Sequence, residues 1–139
     1  MDTRPRRVRG GTLSWGWAAG ASVSDLDDLR TWVPALVDGR LLTGKTQEQR
    51  LRTLPAGFPG ISYGLGILDT NGRLGHNGEI PGYESIAAQL PADNASLVVL
   101  VTSDIDHDGK NLSSLVGNAV TSVVTPGHLW PAPVPTGPE

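Results

Sequence analysis

The run Gly75-His76-Asn77-Gly78-Glu79-Ile80-Pro81-Gly82-Tyr83 sets a histidine among glycines, where a polar turn gives way to an apolar alternating stretch. Glycine beside a polar side chain lets backbone approach a ligand closely, because no Cβ intervenes. His76 therefore reads either as a ligand-facing group or as a polar residue at a hairpin end, satisfied by backbone and water. Glu79 reads either as a general base or as a residue whose side chain points to solvent. Tyr83 reads as a core or rim aromatic. A second polar cluster, Asp104-Ile105-Asp106-His107-Asp108-Gly109, has the opening pattern of a calcium loop. The bidentate glutamate that such a loop needs at its twelfth position is here Leu115, in an apolar helical stripe. Asp108 as a helix cap explains the segment better, and no metal or other cofactor is expected.

The elements that position these residues can be read from periodicity. Ser24-Asp25-Leu26-Asp27-Asp28 starts a helix: Ser24 caps it, and the carboxylates complement the dipole. Leu26, Leu29, Val33, Leu36 and Val37 make its apolar face. Pro34 predicts a kink, Gly39 a C-terminal cap, and Thr43 the cap of a short helix over 44–52. From residue 61 the period becomes two. Strands are predicted over 61–68, 73–77, 83–90 and 96–102, the last buried on both faces. Asn71-Gly72 marks a tight hairpin, since both residues tolerate positive φ. Short connections imply an antiparallel meander. Leu112, Leu115, Val116, Ala119, Val120, Val123 and Val124 form an apolar stripe on a helix over about 110–124, expected to lie across the sheet.

The predicted class is α+β, an α/β/α sandwich fragment. Its antiparallel sheet of three to four strands is covered by a C-terminal helix and preceded by two short helices. Residues 1–12 read as a disordered basic tail, 13–125 as the folded portion and 126–139 as a Pro-rich tail. The 139 residues are 38% hydrophobic and carry a net charge of -3, which recommends no nucleic-acid partner. Without cysteine the chain has neither disulfides nor thiolate metal sites. The run Leu97 to Val101 falls far short of the roughly 20 residues that a membrane span needs, and the basic N-terminus lacks the apolar region of a signal peptide. The four tryptophans, Trp15, Trp17, Trp32 and Trp130, read as packing residues.

Five ordered segments resemble one family. They are Trp17-Ala18-Ala19-Gly20-Ala21-Ser22-Val23-Ser24, Asp38-Gly39-Arg40-Leu41-Leu42, Tyr63-Gly64-Leu65-Gly66-Ile67, Gly75-His76-Asn77-Gly78 through Pro81-Gly82-Tyr83, and Leu97-Val98-Val99-Leu100-Val101-Thr102. Their order is similar to the C-terminal portion of the serine β-lactamase-related family. That family includes D-alanyl-D-alanine carboxypeptidases, class C β-lactamases and related esterases of the penicillin-binding-protein superfamily. The resemblance implies that His76, with Asn77 and Gly78, lines a substrate site and supports its proton network. It also implies that the backbone N–H of Glu79 is half of an oxyanion hole. The substrate would be a small molecule or peptide, namely D-Ala-D-Ala, a β-lactam or an ester, in a secreted or periplasmic setting.

The family's nucleophile is missing from the sequence. No serine has a lysine three residues later: Lys45 and Lys110 are preceded at that distance by Leu42 and His107. Neither Tyr63-Gly64-Leu65 nor Tyr83-Glu84-Ser85 matches the family's Tyr-x-Asn. The resemblance places both motifs upstream of Trp17, so the chain is expected to be inactive alone. The other readings are a non-catalytic interaction module, docked to a protein partner at an open sheet edge, and the remnant of a truncated gene.

Overall fold

The computed structural model describes residues 13–130; the predicted basic tail and residues 131–139 of the Pro-rich tail lie outside them. Helices α1 (Trp17–Gly20), α2 (Leu26–Val37) and α3 (Gly44–Arg50) precede six strands, and α4 (Leu112–Val124) follows. The strands are β1 (Leu54–Pro55), β2 (Ile61–Tyr63), β3 (Leu68–Thr70), β4 (Arg73–Ile80), β5 (Tyr83–Leu90) and β6 (Ala95–Val101). They form one antiparallel sheet in sequence order. The meander and the mixed α+β class are as expected, but the sheet has more strands. The predicted strand over 61–68 is two, because the chain doubles back between Tyr63 and Leu68. A further short strand, Leu54–Pro55, pairs with β2.

Side chains on a strand alternate between faces, and that assigns the two layers of helix. Ile86, Ala88, Leu97 and Val99 are buried on one face with Trp130, and α4 packs there through Gly117 against Ile86 and Trp130. On the other face, Leu26 and Arg30 of α2 lie beside Ser96 and Val98 of β6. The sheet is thus sandwiched. Strand β6 is deeply buried only on the Leu97 and Val99 side, and Leu100 is 41% exposed, so it is not covered equally on both faces.

Local chemistry explains most boundaries. Asp25, not Ser24, caps α2: its Oδ1 accepts the Asp28 N–H at 2.9 Å. The helix runs through Pro34 to Val37. Gly39, at φ 75°, ends it, with the Arg40 N–H donated to the Ala35 carbonyl as a Schellman motif requires. Thr43 caps α3 as expected. Asn71 and Gly72 both have positive φ and form the β3–β4 turn, where Asp69 Oδ1 accepts the Gly72 N–H. Asp108 does not cap a helix. It sits at φ 52° in a turn closed by His107 and Lys110, and Asn111 occupies the N-cap of α4.

The largest departure is the orientation of α4. Its buried residues are Ser113, Ser114, Gly117 and Thr121, whereas Val116, Val120, Val123 and Val124 are 45%, 43%, 81% and 68% exposed. The polar, small-residue face meets the sheet because a Cβ on Gly117 would stand only 2.8 Å from Ile86 Cδ1. The apolar stripe points away. Thr121 hydroxyl, which donates to the Gly117 carbonyl, also accepts the Trp130 N–H. The chain after α4 therefore folds back, and Trp130 is the buried tryptophan, while Trp15, Trp17 and Trp32 are exposed.

Arg73 secures this return. Arg73 is 3% exposed, and its guanidinium donates to the His128 carbonyl and to Thr125 Oγ1. Burial lowers its pKa, and the charge of Asp93 acts in the opposite sense.

Candidate functional site

His76 lies in the middle of β4 with its side chain exposed. Strand β3 pairs with β4 only as far as Gly75, whereas β5 follows β4 to Ile80. From His76 to Ile80, β4 therefore has one edge that no described strand covers. In an antiparallel ladder, alternate residues direct both N–H and C=O to the same neighbour. The Ile80 and Tyr83 pair flanks a two-residue Pro81-Gly82 turn, with Gly82 at φ 85°. That register directs His76, Gly78 and Ile80 toward β5, and the backbone groups of Asn77 and Glu79 toward the bare edge.

Gly75 allows β4 to run this close to β5. A Cβ there would come within 2.1 Å of the Ala87 carbonyl oxygen and 2.5 Å of Ala88 Cα. At Gly78 the obstacle would be the Ser85 hydroxyl, at 2.8 Å.

The far end of β4 is tied to α4 by two carboxylates. Glu79 and Glu84 are direct cross-strand partners. Glu79 Oε2 accepts from Asn111 Nδ2 at 2.7 Å, and Glu84 Oε2 accepts the Ser113 N–H at 2.7 Å. Glu79 is exposed, as expected, but its carboxylate is held by this bond. Tyr83 is 52% exposed, a rim residue.

His76 has two partners. Nδ1 lies 2.5 Å from the Asn77 carbonyl oxygen and Nε2 2.8 Å from the Tyr63 hydroxyl. The Tyr63 and His76 rings meet edge to face, 5.5 Å between centroids at 90°. In the sequence Tyr63 belongs to a predicted strand, to one of the family-like segments and to a failed Tyr-x-Asn match, none of which marks it as a partner of His76. The thirteen-residue separation carries no signal of contact by itself.

A relay of backbone contacts sets Tyr63 in place. Gln47 donates to the Leu36 and Val37 carbonyls, and Arg50 to that of Leu36, so α3 docks on the end of α2. Burial lowers the Arg50 pKa. The Arg50 carbonyl accepts the Leu65 N–H, and the Gly64 N–H closes the turn onto Ile67 O. Gly64 is required there, because a Cβ would fall 2.3 Å from Arg50 O.

On the α4 face, Ala56, Phe58, Ile61, Leu68, Thr70, Asn77, Ser114 and Trp130 line a largely apolar cleft of about 230 Å³. Asn77 thus belongs to the opposite side of the strand from His76. Among the described residues, Asp104, Asp106 and Asp108 form no group able to hold a metal ion, and no helix is long and apolar enough to cross a membrane.

The fold class is reflected in solved structures of the penicillin-binding-protein/β-lactamase superfamily. A D-stereospecific amidohydrolase from Streptomyces sp. is 31% identical over 66% of this chain and 29% of its own, with a TM-score of 0.60. The D-amino acid amidase from Ochrobactrum anthropi SV3, solved with D-phenylalanine, is 34% identical over 66% of this chain and 33% of its own, with a TM-score of 0.56. The chain spans about a third of the length of these neighbours. No protein-family model and no curated protein matches it.

Proposed function

We propose that the chain is part of a serine hydrolase of the β-lactamase and D-Ala-D-Ala carboxypeptidase type, acting on amides or peptides of D-amino acids. It contributes one wall of the active site. The observation that carries this reading is the bare edge of β4 beside an exposed, doubly bonded His76. In this role the His76 side chain and the Asn77 backbone, which faces the bare edge, contact the substrate, Gly78 lets it approach, and the Glu79 N–H stabilises the charge that develops on the carbonyl oxygen during acyl transfer. The two named amidohydrolases support amides of D-amino acids over the other substrates of the superfamily.

The nucleophile comes from outside these 139 residues, which contain no Ser-x-x-Lys. A completing segment also accounts for α4. That helix has no charged residue in Leu112–Val124 and exposes four valines, an arrangement suited to burial in a larger fold.

A chimera tests the proposal. The matching third of the Ochrobactrum amidase is replaced by the equivalent residues of this chain. Hydrolysis of D-phenylalanine amide should persist and fall by roughly a hundredfold or more on His76→Ala. A chimera that folds, by circular dichroism and cooperative melting, yet is inactive would overturn it.

The uncovered edge of His76 to Ile80 also favours a second reading, a non-catalytic module docked on a partner chain. Light scattering after size exclusion separates the two, because an obligatory partner is incompatible with a clean, cooperatively unfolding monomer.

A further inference from the structure

We infer that Tyr63 is the positioning residue of His76, fixing both the tautomer and the direction of its imidazole. A carbonyl oxygen can only accept, so the contact to Asn77 O places a proton on Nδ1. The neutral ring then carries a lone pair on Nε2, and the Tyr63 hydroxyl, 2.8 Å away, donates to it. This is the tautomer opposite to the one free histidine prefers in water. With both nitrogens engaged and the two rings perpendicular, 5.5 Å between centroids, the imidazole has one orientation. The tyrosine is itself fixed, since the turn after it is closed by Gly64 and anchored through Leu65 to Arg50 of α3. Helix α3 is thereby linked through Tyr63 to the His76 side chain, and the helical layer is coupled to the site wall.

Only the catalytic consequence rests on the hydrolase reading. Tyr63 does not touch the reacting atoms. It ensures that substrate meets a His76 whose Nε2 proton inventory is shared with the tyrosine hydroxyl.

Long-range proton–nitrogen NMR correlation of the imidazoles in the intact chain tests this. At a pH where His76 is neutral it should appear with Nδ1 protonated and Nε2 bare. Tyr63→Phe, which keeps the ring and removes the hydroxyl, should move the Nε2 resonance and populate the Nε2–H form. His107 should stay unchanged. A wild-type His76 that is mainly the Nε2–H tautomer, or a Tyr63→Phe spectrum identical to wild type, would overturn the assignment. The wild-type protein offers a second readout that needs no folded variant. The Tyr63 Cζ resonance should titrate with His76, as its hydroxyl changes from donor to acceptor; an unresponsive Cζ refutes the pair.

In the chimera, Tyr63→Phe should lower kcat/KM by roughly tenfold to a hundredfold and alter the pH profile. NMR evidence for the pair with an inactive chimera sinks the hydrolase reading and leaves the pair standing. An active chimera without the NMR signature does the reverse.

Discussion

Glu84 caps a helix to which it does not belong. Its Oε2 accepts the Ser113 N–H at 2.7 Å, across 29 residues of sequence, while Asn111, at the N-cap itself, makes no capping bond. The Asn111 amide instead holds Glu79, the cross-strand partner of Glu84. Two carboxylates that would repel each other on one face of the hairpin each accept one bond at the positive end of α4, and Glu84 Oε1 is left buried without a partner. This arrangement joins the last turn of β4, where the Glu79 backbone faces the bare edge, to the covering helix.

Removing that cap should be costly. Glu84 is 3% exposed, so Glu84→Ala should destabilise the chain by about 1–3 kcal/mol in urea unfolding. Glu84→Gln, which keeps an acceptor, should lose less. Amide exchange at Ser113 should accelerate in the alanine variant. A change below about 0.5 kcal/mol would show that the bond contributes nothing.

Two glycines should respond in opposite ways to the same change. Gly75→Ala forces a methyl onto the Ala87 carbonyl and should abolish cooperative folding or separate β4 from β5. Gly44→Ala, at the first position of α3 with open space around it, should be neutral or stabilise by up to about 1 kcal/mol. Thermal melts decide both.

The outward stripe of α4 can be checked by charge. Val123→Lys should leave the stability of the isolated chain within about 0.5 kcal/mol and reduce its aggregation. Were the stripe packed on the sheet, the same substitution would be severe. Gly117→Val is the converse, since its side chain would collide with Ile86 and Trp130, and soluble folded protein should not be recovered.

Arg73→Ala should release the return segment. Its two hydrogen bonds, to Thr125 Oγ1 and to the His128 carbonyl, are lost, and roughly 2–3 kcal/mol should go with them. With Trp15, Trp17 and Trp32 replaced by Phe, the emission of buried Trp130 should shift to the red in this variant. An unchanged spectrum would mean that the Thr121 and Asn118 bonds hold the tryptophan alone.

The parts of this fold that were legible in sequence are those set by local chemistry. Asn71-Gly72, Gly39 and Thr43 act through their own φ or side-chain oxygen, so the hairpin and two helix ends appear where expected. Burial was harder to read. Periodicity identified the apolar face of α4, but the side that packs was decided by how closely Gly117 lets the helix approach Ile86, a distance no spacing rule contains. The split after Tyr63 was hidden for a related reason. Gly64 and Gly66 fit a strand by alternation, but the Gly64 N–H bond to Ile67 O, Gly66 at φ 65° and the Leu65 N–H bond to Arg50 O make them a turn. At the site, His76 is recognisable from its glycines, whereas Tyr63 and Asn111 reach it or its strand across 13 and 32 residues of sequence.

Covalent capture on the isolated chain addresses the central point, that His76 belongs to a hydrolytic site completed by residues from elsewhere. The chain is incubated with a fluorophosphonate and with a penicillin, its intact mass is measured, and turnover of D-phenylalanine amide is followed in parallel. An unchanged mass and no turnover are expected. A serine adduct, accompanied by hydrolysis that His76→Ala abolishes, would contradict it, because these 139 residues would then hold a complete site.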